Sequence, residues 1–292
     1  MSKDHATLVG FMAVLMWATL AALSAASGAV PPFEMTAITF LIGGLMCAVT
    51  WPFRPKSFAA LKQDWRIWAL GIGGLFSYHA LYFAAVQNAP AVDVSLIAYL
   101  WPMLIVVFSG FLPGEKLKSH HLIGTGFGLL GAVVVITRGQ TGLFSHGLLL
   151  GHYMALPLPI IWAGYSLLAR RTGQVPTDVV AGFCLATAVL AFMAHLIFEP
   201  NVLPQFSTQW LALLALGLFP VGAAFYVWDY GLKHGDIFIL GALSYCSPLF
   251  STLVLLAAGI AAPHWSIGLA CLLITLGALI ASRDLFRPRR LI

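Results

Sequence analysis

The sequence predicts an all-α membrane protein with ten transmembrane helices, arranged as two inverted five-helix repeats. Three observations predict it. Of 292 residues, 60% are hydrophobic and only 9% are charged, against about 25% charged in soluble domains. Ten apolar stretches approach or exceed the roughly 20 residues needed to cross a bilayer, and short separators rich in Pro, Gly and charge divide them. Threaded through those ten stretches, the fifteen Lys and Arg fall on one side with a single exception. The net charge of +5 therefore reports topology. It forms no single patch, and no nucleic-acid partner is expected.

The first stretch, 8–28, exceeds the roughly 7–15 residues of a signal-peptide core, although Ala22 to Ala29 is rich in small residues. Gly28 to Pro32 separates it from 33–52, and Pro52 to Arg66 precedes 67–88. The stretch 92–111 ends at Pro113-Gly114-Glu115-Lys116, and 120–137 ends at Arg138-Gly139-Gln140. The next, 147–169, runs into Arg170-Arg171-Thr172-Gly173, and 178–198 into Glu199-Pro200-Asn201. Then come 208–231, 236–259 and 264–282. Such separators are turn chemistry.

Lys3, the cluster Arg54, Lys56, Lys62 and Arg66, Lys116, Lys118, Arg170, Arg171, Lys233, Arg283, Arg287, Arg289 and Arg290 share one side, and Arg138 is alone on the other. Positive residues mark the cytoplasmic side, so both termini are expected in the cytoplasm. Dropping any interior helix would scramble the split. The four cysteines lie inside apolar runs without metal spacing and are expected to be small core residues.

The second half echoes the first. Ala98-Tyr99-Leu100-Trp101-Pro102 aligns with Ser244-Tyr245-Cys246-Ser247-Pro248 at an offset of 146, which also maps Gly131 onto Gly277. Met16-Trp17-Ala18 meets Ile161-Trp162-Ala163 at 145, and Gly74-Leu75-Phe76 meets Gly217-Leu218-Phe219 at 143. Five helices per half is an odd number, so the second copy enters the membrane from the opposite side. Residues 1–145 and 146–292 are the expected repeats. Secondary transporters use this plan, with the substrate near the midplane between halves.

His79 lies in a run free of Lys, Arg, Asp and Glu. At about 1.5 Å per residue it is some 18 Å into its helix, near the bilayer centre. An ionisable residue there is a functional candidate. It either lines a site or packs as a neutral ring bonded to a helix carbonyl or tyrosine hydroxyl. Tyr78 and Tyr82 flank it at helical spacing. Tyr99, Trp101, Trp17, Trp162, Tyr226, Trp228 and Tyr245 complete the candidate cavity. Aromatic walls with polar edges suit a ligand with an apolar side chain and a small polar head. Pro102, Pro157, Pro159, Pro220 and Pro248 break the helix ladder and are candidate hinges or static kinks. Asp229 is expected to pair with Lys233 or stand in a solvated collar, Asp93 and Glu34 to favour helix N-termini, and Asp236 to cap the ninth span.

Several of these motifs resemble those of the EamA-type drug/metabolite transporters: Met16-Trp17-Ala18, then Tyr99-Leu100-Trp101-Pro102 with Gly114-Glu115-Lys116-Leu117, then Leu122-Ile123-Gly124 and Gly128-Leu129-Leu130-Gly131. The resemblance covers essentially the whole chain. The second half departs from it at Gly259-Ile260-Ala261-Ala262-Pro263, which lacks the glutamate. Within the family the chain is most similar to exporters of aromatic and other amino acids. The resemblance implies an outward direction and a bacterial inner-membrane location. It also makes Gly124-Thr125-Gly126-Phe127-Gly128 a scaffold or dimer surface.

No Lys or Arg lies in a membrane interior, which disfavours phosphorylated or nucleotide-linked sugars. The first span lacks the embedded glutamate of small multidrug antiporters. Neutral or zwitterionic solutes of amino-acid size lead, and lipophilic cations held by cation–π contacts follow. An enzyme would need a nucleophile with its base, a metal cluster or a diphosphate motif. HExxH, GxSxG and an Asp-rich pair are all missing. No cofactor or metal is expected. Membrane lipid and a small-molecule substrate are the expected partners, and a monomer satisfies the sequence.

Overall fold

The computed structural model describes residues 2–140 and 147–283. Arg287, Arg289 and Arg290, counted for topology, and the boundary between 145 and 146 lie outside the described residues. Every predicted stretch is helical. In order they are α1 (Lys3–Ala26), α2 (Pro32–Phe53), α3 (Trp65–Asn88), α4 (Ala91–Ala98 and Trp101–Ser109), α5 (Ser119–Thr137), α6 (Leu150–Ala155 and Pro157–Arg171), α7 (Val179–Phe198), α8 (Ser207–His234), α9 (Ile237–Ala257) and α10 (Trp265–Ala281).

Among the described residues, seven helices are long and apolar enough to cross a membrane: α1, α2, α3, α5, α7, α8 and α9. The remaining three predicted spans are shorter or interrupted. α10 is apolar but 17 residues long. α4 is divided at Tyr99–Leu100 ahead of Pro102. α6 is interrupted ahead of Pro157 and ends on Arg170–Arg171. The chain has an all-α, multi-span membrane fold.

Glycine sets the closest helix packing. α5 lies along α10, where a Cβ at Gly124 would stand 2.5 Å from the Gly277 carbonyl oxygen. The predicted glycine face of α5 thus packs inside the chain. α1 meets α8 where a Cβ on Gly10 would lie 2.9 Å from the Gly231 Cα. α2 packs on α7, and α3 on α6. Of the cysteines, Cys184 and Cys246 are buried as expected, Cys47 is half-buried, and Cys271 is exposed.

Each predicted proline sits at or just after an irregularity. Pro102 and Pro248 lie in the first turn of the second segments of α4 and α9, and Pro157 opens the second segment of α6, with Pro159 two residues on. The missing N–H costs nothing there, because the first-turn donors are unpaired anyway. Pro220 falls in a π-helical turn, Phe219–Ala223. A further break, at Thr19 in α1, has no proline; the Thr19 hydroxyl donates to the Met16 carbonyl at 2.7 Å, competing with the ladder.

Ion pairs mark both ends. At the end that carries most of the basic residues, Lys233 pairs with Asp229 at 2.7 Å, and the Thr177 hydroxyl donates to the same carboxylate. Asp236 caps α9 by accepting from Phe238 and Ile239, as expected, and pairs with Lys3 at 2.7 Å. Arg170 pairs with Glu115 and donates to the carbonyls of Leu232 and Gly235. At the Arg138 end, Asp93 and Glu34 have partners that the sequence did not disclose. His152 Nδ1 accepts from the Leu149 N–H, so Nε2 donates to Asp93 at 3.1 Å. Glu199 accepts from the Phe33 and Glu34 N–H groups and from His195, capping α2 from another helix. Glu199→Ala is expected to strip that cap and remove the acceptor of His195 Nδ1, costing about 1–3 kcal/mol. A thermal melt in detergent checks it.

Candidate functional site

Helices α1, α2, α3, α4, α6, α8 and α9 enclose a cavity of ≈ 250 Å³. Seven of the ten predicted residues line it: Trp17, Tyr78, His79, Tyr82, Tyr99, Trp101 and Trp162. Trp17 sits among four rings, with centroids at 5.1 Å to Trp228, 5.6 Å to Trp162, 6.2 Å to Phe225 and 6.3 Å to Trp101. Its indole N–H donates to the Pro220 carbonyl at 3.0 Å. The irregular turn thus supplies the acceptor that fixes the central tryptophan. Together Trp17, Trp101, Trp162 and Phe225 form a floor, with Trp228 behind it.

From that floor the lining runs toward the Arg138 end. It continues through Ser24 of α1, Met35, Thr36 and Thr39 of α2, Phe83 of α3, Ser95 of α4 and Leu216 of α8. All lie in the helix halves nearest that end. Below the floor the basic-end halves are packed and latched by the Arg170–Glu115 pair.

His79 is bonded to a helix carbonyl and also faces the cavity. Nδ1 makes a 2.7 Å hydrogen bond with the Leu75 carbonyl one turn back, while the ring lines the cavity. Its edge meets Phe40 at 5.0 Å. Tyr78 and Tyr82 stack nearly parallel, 6.3 Å apart at 8°. Among the described residues, no Asp, Glu, Lys or Arg lines the cavity. Its polar groups include the imidazole, the hydroxyls and the tryptophan indole N–H groups.

Three predicted residues are outside this cavity. Trp228 is fully buried behind the floor and donates to the Ser166 hydroxyl at 3.3 Å. Tyr226 points its hydroxyl to the Gly43 carbonyl at 3.0 Å, because it occupies a different face of α8 from Phe225. Tyr245 is fully buried and packs on Gly128. Conversely, the lining includes Phe40 and Phe225, whose rings stack 5.5 Å apart at 24°. Phe225 was readable as the face-mate of Trp228, but Phe40 sits in an unbroken apolar run with no local signal.

Comparison with known proteins agrees with this architecture. The model of the EamA-like transporter family matches the chain twice, at residues 5–137 and 149–283. The aromatic amino acid exporter YddG of Ancylobacter novellus is 49% identical over 283 residues, covering 97% of this chain and 98% of that protein. The protein of the same name from Escherichia coli is 25% identical over 281 residues, covering 91% and 93%. A biotin transporter of Escherichia coli is 25% identical over 247 residues, covering 84% and 83%. A crystal structure superimposes with a TM-score of 0.90 at 48% identity, covering 98% of this chain and all of that one. The chain belongs to the EamA-like transporter family and is a transmembrane transporter.

Proposed function

We propose that this transporter exports amino acids with aromatic and other apolar side chains from the bacterial cytoplasm by alternating access. The observation that carries the reading is an uncharged aromatic cavity with a few polar groups at its wall. Its ≈ 250 Å³ falls below the roughly 300–1,000 Å³ of drug-sized pockets and suits a solute of amino-acid size. The exporter name of the 49% identical relative adds to this. His79, Tyr78, Tyr82, Tyr99, Trp101, Trp17 and Trp162 are the proposed substrate contacts, with Trp228 backing them. Pro102, Pro157, Pro159, Pro220 and Pro248 are proposed as flexing points.

The same reading takes the chain as ten spans in two inverted halves, 1–145 and 146–292, with both termini cytoplasmic. The double family match supports it. So do reciprocal packings: α1 meets α8 as α6 meets α3. Asp236 at the start of α9 binds Lys3 and Thr7 of α1, as Asp93 in the first turn of α4 binds His152 of α6. The Lys and Arg asymmetry supports the orientation.

One asymmetry bears on the cycle. At the offset of 145, Arg170 corresponds to Ala25 and Glu115 to Ile260. The basic end thus has an Arg–Glu pair whose counterpart positions at the Arg138 end are apolar, which supports a resting state that opens outward. Arg170→Ala is expected to raise the population open to the cytoplasm. In a chain freed of its four cysteines, a Ser166→Cys probe below the floor should react several-fold faster with an impermeant thiol reagent applied from the basic side. An unchanged rate removes the latch.

The function is tested with purified protein in liposomes loaded with radiolabelled phenylalanine or tryptophan. Efflux without a gradient is expected for a uniporter, and efflux that requires a proton gradient for an antiporter. Failure to move either amino acid while a lipophilic cation moves would overturn the substrate reading in favour of drug efflux.

A further inference from the structure

We propose that His79 receives the ammonium end of the solute through the lone pair of Nε2, leaving the carboxylate to the tyrosine hydroxyls. The inference rests on the amino-acid reading above and assigns the direction in which the polar head lies. A carbonyl oxygen has no proton to give, so the 2.7 Å contact with Leu75 requires the N–H on Nδ1. A neutral imidazole carries one N–H, which makes Nε2 an acceptor, and it has no hydrogen-bond partner among the described residues. Thr39 behaves alike. Its hydroxyl donates to the Met35 carbonyl at 2.8 Å, so its remaining capacity toward the cavity is to accept.

The groups that face His79 from the packed helices fit a cation. α2 and α8 present Phe40 and Phe225, at 5.0 and 6.5 Å between ring centroids, and aromatic faces attract an ammonium. The titratable groups of the lining besides His79 are Tyr78 and Tyr82 on its own helix and Tyr99 on α4. Tyr78 and Tyr82 make no side-chain hydrogen bond among the described residues, so their protons are available to a carboxylate. The cavity therefore has an accepting corner and a donating wall.

The test compares phenylethylamine and phenylpropionate, which share a ring and differ in the polar head. Binding to the full-length protein in lipid nanodiscs is followed by quenching of tryptophan fluorescence. The amine is expected to bind about tenfold or more tightly than the acid, as one charge-assisted hydrogen bond provides. His79→Ala should erase that preference, and His79→Gln should retain part of it, since an amide oxygen still accepts. Equal or tighter binding of the acid to the wild-type protein overturns the proposal, and so does His79→Ala weakening both ligands equally. Phenylalanine measured in parallel separates the two levels. If the amine is preferred but phenylalanine does not bind, the substrate reading fails and the His79 assignment stands. If phenylalanine binds without any head-group preference, the assignment fails and the substrate reading stands.

Discussion

Gly277→Val is expected to prevent stable folding, with little protein recovered from membranes and the melting transition lost or lowered sharply. A Cβ at position 277 would lie 2.5 Å from the Gly124 carbonyl oxygen and 2.9 Å from the Gly128 backbone nitrogen. Both neighbours are backbone, so neither can rotate away. Ordinary overpacking costs about 1–3 kcal/mol, largely because side chains yield. Here α5 and α10 must separate as whole helices, and the cost is expected at or above the upper end of that range. Gly126 is the control. It lies on α5, the helix that Gly277 packs against, with nothing within 4 Å of its Cβ position. Gly126→Ala should be neutral or stabilise by about 0.5–1 kcal/mol through lower backbone entropy in the unfolded chain. Equal behaviour of the two variants would refute the packing argument.

Trp17→Ala is expected to produce the largest functional loss. It removes contacts to four rings at once, from Trp228 at 5.1 Å to Trp101 at 6.3 Å. Each aromatic pair contributes about 0.5–1.5 kcal/mol beyond its buried area. Both the floor of the cavity and the tie from α1 to α8 through the Pro220 carbonyl go with it. Phenylalanine affinity should fall about tenfold or more, and efflux should fall in step. Trp17→Phe keeps a ring but loses the indole hydrogen bond, a net of about 0.5–1.5 kcal/mol, and should be intermediate. Titration of both variants in nanodiscs, with a melt on the same samples, separates lost binding from lost stability. Wild-type affinity in Trp17→Ala would take the floor out of substrate recognition.

The fit between sequence and structure differs by element. His79 was legible because a titratable group at mid-depth in an apolar run is rare, and its hydrogen bond to Leu75 is local to one helix turn. Trp17 and Trp162 were legible because they recur at the offset of 145. Tyr245 has the same kind of signal, as the counterpart of Tyr99, yet it is buried on Gly128 while Tyr99 lines the cavity. The repeat predicts equivalent places in two halves. It does not say which half is packed and which opens. Asp93 and Glu34 illustrate a second limit. Their positions in first turns follow from spacing, but their partners His152 and His195 are 59 and 161 residues away in the chain.

By itself, the sequence determined the class, the helical segments, the basic-side asymmetry and the chemistry that the cavity lacks. These follow from composition and local pattern, because a bilayer obliges each segment to be apolar and to satisfy its own backbone. Only the tertiary structure decided which aromatic residues share one cavity, that Phe40 and Phe225 join them, and that Trp228 and Tyr245 are packed away. The physical reason is the rotation and depth of each helix. Both are set by where glycines let backbones touch and where α1, α4, α6, α8 and α9 interrupt their ladders. An apolar helix in a membrane carries little sequence contrast between its lipid face and its protein face, so those angles are decided by contact.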